Sequence, residues 1–321
     1  MNVRAIDLSV IVVNWNTRDL LAQCLQSVYD TAGDLACEVL VVDNGSTDGS
    51  VEMVESRFPQ ARLFRNAENV GFARANNQAL EQIKGRYALL LNSDTIVFPG
   101  ALFSLVTFAD RYPQAGIVGC RLVNPDGSLQ RSWARFPTCL TELLGWNPRT
   151  RRLIQRMPRV YEVDWLGGAC ILARSEAVED VGLLDESFFM YSEEMDWCFR
   201  MKRSGWRVCY LDDIRIMHRG GGSANRASLT QLILLYNSKL QFFSKHHGSG
   251  SVRFLRTGLV VMNTFGLLRR GLAWHLGVHR SHDMTERLEV QWKLILWLLQ
   301  KYRHGTIDDT ISAAQSARTS T

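Results

Sequence analysis

Over the first half of the chain the apolar residues fall into short unbroken runs: LSVIVV at 8–13, CEVLVV at 37–42, ARLFR at 61–65 and YALLL at 87–91. A run without polar alternation is what a strand covered on both faces of a parallel sheet requires. Between the runs the period changes. Residues 17–29 set Leu20, Leu21, Cys24, Leu25 and Val28 at helical spacing, 71–84 reads as another helix, and 99–111 as a third with Pro99 at its start. The turn-rich stretch DNGSTDGS at 43–50 opens a further helix. This alternation predicts an α/β layer architecture around a mainly parallel sheet.

The rhythm changes beyond about residue 115. AGIVGCRLV reads as a strand, NPDGS (124–128) as a turn and LQRSWARF as an antiparallel strand. Residues 140–162 are Arg-rich and irregular and read as a mobile loop, and ACILA (169–173) as a strand with Ser175 capping a short helix. A helix beginning in MYSEEMDWCFR (190–200) runs to about 204, where Gly205 ends it. WRVCYL and IRIMH give two more strands, and the pattern is helical from about 228, without internal repeats.

Composition adds the placement of charge. The formal net charge is +5, yet residues 245–304 hold ten Lys/Arg against three Asp/Glu, while 1–244 sum to −1. The basic character belongs to the C-terminal segment, which could meet an anionic membrane surface or nucleic acid. Nothing else in the chain favours nucleic acid. The seven cysteines are scattered, without a CxxC pair, and fit buried free thiols in a reducing compartment better than a disulfide framework or a zinc site. The apolar start is too short for a secretory segment, and the best uncharged apolar stretch, 257–268, is too short to span a bilayer. A cytoplasmic protein, peripheral at the inner face of the plasma membrane, is expected.

Four polar clusters end predicted strands: NWN, DNGSTD, NSD and HRGGGS. Open α/β sheets bind ligands beyond the carboxyl ends of their strands, so four such clusters together point to a site. Asp43 could receive hydrogen bonds from a ribose or base edge, or could instead close an Asx turn. Asn92 and Asp94, two apart on an extended segment, are oxygen donors suited to Mg²⁺ or Mn²⁺, or else a simple turn. His218 could be structural, but the following Arg219 and glycines can cradle phosphate. No GK[ST] or GxGxxG accompanies these clusters, which argues against a Walker loop or a dinucleotide cofactor. In MYSEEMDWCFR, Ser192 could cap a helix whose first turn favours all three acids. Glu193, Asp196 and Arg200 share one stripe, and the Asp196–Arg200 spacing allows an ion pair. Glu194 lies about 100° away and is the better candidate for a general base.

In chain order, SVIVVNWN, VVDNGSTDGS, NVGFARANNQAL, LLLNSD, the segment from WLGGACILARSE to MKRSGW, and HRGGGS resemble the inverting family 2 glycosyltransferases of the GT-A fold, the rhamnosyltransferase-like branch most of all. The resemblance covers about residues 8–225. It implies a GT-A catalytic domain over 1–227, with a nucleotide-binding half to about 114 and an acceptor-binding half after it. Residues 228–304 then form a basic amphipathic helical segment, and 305–321 a disordered tail. By resemblance Val13, Trp15 and Asp43 line the base and ribose pocket, Asn69, Gly71 and Asn76 close over the nucleotide, and Asn92 belongs with them. Asp94 and His218 are the metal ligands, with Asn92 standing where the family motif usually has its first Asp. Arg219 and Gly221 serve the diphosphate, and Trp165, Gly167, Gly168 and Glu193 face the sugar or acceptor. Glu194, where the family commonly has Asp, is the catalytic base, with Asp196 as the alternative.

The implied reaction is transfer of a sugar, rhamnose for instance, from a dTDP- or UDP-linked donor to a lipid-linked or polysaccharide acceptor, with a divalent cation. Two alternatives stay open at this level. A nucleotidyltransferase could share the fold, though the expected Gly-rich, Arg-containing N-terminal loop is missing. A non-catalytic membrane-associated relative is opposed by the retained Asp94, Glu194 and His218. The mixture of Trp, Leu and Arg over 251–303 suits a helical segment lying in a membrane surface, or a helical pair packed on protein.

Overall fold

A computed structural model describes residues 6–144, 160–220, 229–276 and 282–300. The chain divides into two compact units, Met1–Phe136 with Arg149–Gly222, and Pro137–Pro148 with Ser223–Thr321. Gly221, most of the predicted mobile loop and the predicted tail lie outside the described residues.

The first unit begins β1 (Ile6–Asn14), α1 (Arg18–Thr31), β2 (Cys37–Asp43), α2 (Ser50–Arg57), β3 (Arg62–Arg65), α3 (Phe72–Leu80), β4 (Gly85–Asn92), β5 (Thr95–Val97), α4 (Ala101–Arg111) and β6 (Ala115–Val123). Then follow β7 (Trp133–Ala134), β8 (Val160–Glu162), β9 (Trp165–Leu166), β10 (Cys170–Arg174), α6 (Ser175–Val181), α7 (Glu193–Arg203) and β11 (Arg207–His218). Nine strands form one sheet in the order β3-β2-β1-β4-β10-β6-β11-β5, with β8 paired to β11. The β3-β2-β1-β4 half is parallel. The β10 strand runs antiparallel to both β4 and β6, so the sheet becomes mixed there.

The unbroken apolar runs have the predicted cause. Leu8, Val10 and Val12 of β1 pack in one core with residues of α1 and α4, while Ile11 packs on the other face with α3, α6 and α7. A strand covered on both sides has no position left for alternating polar residues. Five of the seven free cysteines are buried in these cores.

Four readings need correction. WRVCYL and IRIMH are one strand, β11, whose register against β6 shifts between Leu211 and Arg215. Asp212 there does not end the strand because Arg121 of β6 donates to it through Nε at 2.9 Å. LQRSWARF supplies only β7 and an isolated Val123–Leu129 bridge. Ser175 does not cap α6. Its hydroxyl donates instead to Gly85 O at 2.7 Å, and the N-cap position is Arg174, without a side-chain cap. Ser192 does not cap α7 either. It sits at φ 68°, whereas a capping side chain needs extended backbone to reach back to the first amides.

The second unit contains α5 (Cys139–Leu144), α8 (Leu229–His275), broken at Gly248 (φ 79°, ψ 172°), and α9 (His282–Leu299). Lys239 of α8 pairs with Glu142 of α5 at 2.6 Å. Among the described residues, no helix is long and apolar enough to cross a membrane.

Candidate active site

The ends of β1 and β2 carry a closed polar network. Asn14 donates to Asp43 Oδ1 (2.9 Å) and to Ser46 Oγ (3.1 Å), while Ser46 N–H donates to Asp43 Oδ2 (2.9 Å). Asp43 therefore does close the turn after β2, and both of its oxygens already accept within the protein. Val13 and Trp15 flank this network and are half-buried. Asn44 donates to Asn69 Oδ1 and Gly71 O, both at 3.2 Å, and Gly71 N–H donates to Asn69 Oδ1 at 3.0 Å. Asn76 is not brought to this surface. It is buried and donates to Phe72 O within its own helix at 2.9 Å.

Gly71 marks a close crossing. At φ 91° a side chain there would be strained, and a Cβ would lie 2.7 Å from Phe189 O, which already accepts from Phe72 N–H at 2.8 Å. Gly71→Ala is expected to cost about 2 kcal/mol or more, from left-handed backbone plus overlap. Gly182→Ala, at nearly the same backbone (φ 86°, ψ 176°) with open space around it, is the control for backbone strain alone. Equal losses in urea denaturation would show that the Phe189 contact adds nothing.

The second cluster joins β4, β5 and β11. His218 Nε2 lies 3.2 Å from Asp94 Oδ1 and 3.4 Å from Asn92 Nδ2. His218 Nδ1 is 2.8 Å from Gln130 Oε1, and Gln130 Nε2 donates to His218 O and Asn124 Oδ1, both at 2.5 Å. With its NH₂ used this way, the Gln130 amide accepts from Nδ1–H. In the neutral ring the Nε2 lone pair then faces the Asp94 carboxylate. Two electron-rich atoms at that distance are stabilised by a proton or a cation. Asn92 Oδ1, buried without a hydrogen-bond partner among the described residues, adds a second oxygen to this nitrogen and oxygen. The set fits a hard divalent cation, although no three His, Cys, Asp or Glu side chains gather as a metal cluster among the described residues. Arg219 N–H donates to Asp94 O (2.9 Å), and its guanidinium to Gln23 Oε1 (2.5 Å). Thr17 donates to Asn14 Oδ1 (2.6 Å) and meets Ser93 Oγ (2.8 Å), which ties this cluster to the first.

The third cluster is the start of α7, entered through Tyr191 and Ser192, both in the left-handed region. Asp196, fully buried, accepts from Arg200 Nε at 2.8 Å. The same guanidinium donates to Val181 O (3.1 Å) and Leu183 O (2.7 Å). This ion pair locks α7 to the end of α6 and leaves Asp196 out of reach of an incoming hydroxyl. Glu193 is buried and keeps its acidic proton well above the usual range, first through desolvation and then through Glu194. Glu194 is half-buried as a residue, yet desolvation pushes its carboxyl up to about 7. Oε2 of each is buried without a hydrogen-bond partner among the described residues.

The 167–169 turn touches two clusters at once. A Cβ on Gly168 would sit 3.8 Å from Glu194 Cγ, and Asn92 N–H donates to Ala169 O at 3.0 Å. Gly167 N–H is held by Ser132 O (2.9 Å) and Trp165 Nε1 by Arg135 O (3.1 Å). Sequence reasoning missed Gln130 and Asn77. Asn77 accepts from Leu184 N–H (3.1 Å) and donates to Leu184 O (2.9 Å), fastening α3 to the segment that leads into α7. Both partnerships join residues far apart in the chain, and no local pattern marks them.

The family model for glycosyl transferase family 2 matches residues 9–182. The chain is 28% identical over 289 residues to an N-acetylglucosaminyl-diphospho-decaprenol L-rhamnosyltransferase of Mycobacterium tuberculosis, covering 83% of this chain and 94% of the relative. It is 27% identical over 160 residues to the rhamnosyltransferase WbbL of Escherichia coli K12, covering 46% and 60%. Among solved structures, it is similar to the mannosyltransferase PcManGT of Pyrobaculum calidifontis in complex with GDP-Man and Mn²⁺. The TM-score there is 0.57 at 18% identity, over 91% of this chain and 88% of that one. It is also similar to GalNAc-T7 with UDP, GalNAc and Mn²⁺ (TM-score 0.54, 16% identity, 74% and 50% covered). The likeness to both is one of fold: the mixed α/β sheet is of the GT-A type.

Proposed function

Because the chain belongs to glycosyl transferase family 2 and is a glycosyltransferase, we propose that it moves a sugar, rhamnose, from a dTDP-linked donor to a lipid-linked acceptor with inversion. The observation that supports this reading is the 167–169 turn, which bears on Glu194 and on the Asn92–Asp94–His218 cluster together. The relatives named rhamnosyltransferases, one of them acting on a decaprenol-linked sugar, support the donor and acceptor classes. Acceptors of that kind call for work at a membrane, as a peripheral protein of its inner face.

Glu194 takes the proton of the acceptor hydroxyl as that oxygen attacks the anomeric carbon from the face opposite the leaving diphosphate. One displacement inverts the centre, through a transition state of oxocarbenium character. Asp94, His218 and the Asn92 side-chain oxygen would hold a divalent cation, Mg²⁺ or Mn²⁺, and such an ion would neutralise charge on a departing diphosphate. Gln130 holds the His218 ring with Nε2 toward Asp94. Val13, Trp15 and the Asn69–Gly71 loop border the base and ribose, and Arg219 the diphosphate.

Thermal shift with dTDP-rhamnose and with UDP-sugars, each with and without Mn²⁺, tests this. Stabilisation by dTDP-rhamnose that grows with Mn²⁺ is expected, since a ligand bound only to the native state raises its melting temperature. Asp94→Asn should lose the cation-dependent part and retain the fold. No shift with any sugar nucleotide would overturn the donor reading, and an undiminished Mn²⁺ effect in Asp94→Asn would overturn the metal assignment.

A further inference from the structure

We infer that the outward face of residues 254–276 is a docking surface for an anionic lipid bilayer. Phe254, Val261, Phe265, Leu268, Leu272 and Leu276 are all exposed, Phe265 at 69% and Leu268 at 66%. At 100° per residue they fall on one stripe of the helix. The opposite side is already occupied. Gln291 of α9 donates to Asn263 O (2.9 Å) and accepts from Arg270 (2.5 Å), and Arg256 donates to Leu298 O. The exposed stripe is thus not the seam between these two helices, and an apolar patch of this extent marks an interaction surface.

Charge decides between occupants. Residues 250–276 hold Arg253, Arg256, Arg269 and Arg270 and no Asp or Glu. Arg253 and Arg269, both exposed, flank the stripe on its two sides. A second copy would bring this acid-free face against like charge, whereas an anionic bilayer offers hydrocarbon to the stripe and phosphates to the arginines. Since no described helix is long and apolar enough to cross, the helix lies in the plane of the surface. This gives residues to the peripheral placement proposed above but does not depend on sugar transfer, because binding can be read without donor or acceptor.

The experiment is co-sedimentation of the full chain with vesicles of phosphatidylcholine alone and of phosphatidylcholine mixed with phosphatidylglycerol. Binding to the mixed vesicles that weakens with salt is expected. The Phe265→Asp/Leu268→Asp variant should partition about tenfold less or worse, from the transfer free energy of the two side chains. Arg253→Glu/Arg269→Glu should lose the preference for phosphatidylglycerol. All four side chains are exposed, so the melting temperatures should match the native chain. Absence of binding to mixed vesicles at low salt would overturn the inference, as would equal binding by Phe265→Asp/Leu268→Asp. A lipid-free dimer abolished by that variant would assign the face to a second copy instead.

Discussion

Glu194→Gln is expected to slow sugar transfer by about 10²–10⁴-fold, the range for loss of a positioned general base, while binding of the sugar nucleotide persists. Glutamine keeps the shape against Gly168 and removes only the ability to take a proton. The pH dependence follows from the carboxyl's surroundings. Desolvation holds Glu194 at about 7 against an ordinary 4.5. The base is competent only when ionised, so kcat/KM should rise with pH along a limb centred near 7. Because Glu193 lies beside it, that limb belongs to the pair. Stability runs the other way. A carboxyl whose folded value is raised contributes most to stability below 4.5 and loses that contribution as pH rises through about 7. Glu194→Gln should therefore gain stability over the native chain across that window. Glu193→Gln imitates the protonated form that burial already favours, and should leave the rate nearly unchanged. Native-like activity in Glu194→Gln, or an inactive but folded Glu193→Gln, would move the base to the other position.

Arg200→Ala should be the most damaging single truncation for stability. It leaves the fully buried Asp196 carboxylate without its cation and frees the main-chain oxygens of Val181 and Leu183. Breaking a buried pair from one side costs about 3–5 kcal/mol. That is a large share of a stability of about 5–15 kcal/mol, and the melting temperature should fall by about 10 °C. Asp196→Asn combined with Arg200→Met removes both charges and should recover part of the loss. Urea denaturation of the three forms measures this. A loss under about 1 kcal/mol in Arg200→Ala would mean that water reaches the pair and screens it as on a surface.

The parallel half of the sheet was legible because unbroken apolar runs have few alternatives, and its polar strand ends followed from the same reading. The i to i+4 spacing also announced the Asp196–Arg200 pair. Other features depended on distant partners. Asp212 and Asp213 looked like a strand break because Arg121, which neutralises Asp212, lies 91 residues away. Gln130 carries no local mark of its bond to His218, 88 positions on along the chain. The spacing of three acids in four positions set Glu194 apart from the stripe of Glu193, Asp196 and Arg200, but only the folded chain shows Glu193 and Asp196 buried. Ser192 had a capping residue's identity without its backbone conformation.

Asn77 also bears on how freely this region tolerates sequence change. Its amide gives and takes a hydrogen bond with the main chain of Leu184, as one residue of a strand would with its neighbour. The bond makes no demand on the side chain at 184 beyond packing, and the nearby bond from Phe72 N–H to Phe189 O likewise reads no side chain. At 77, by contrast, a side chain must present a donor and an acceptor on separate atoms at one short reach, as the asparagine amide does. The approach to α7 is thus open to change at 184 within the limits of packing, but not at 186, where Glu186 Oε1 accepts from Asn77 Nδ2 at 3.0 Å.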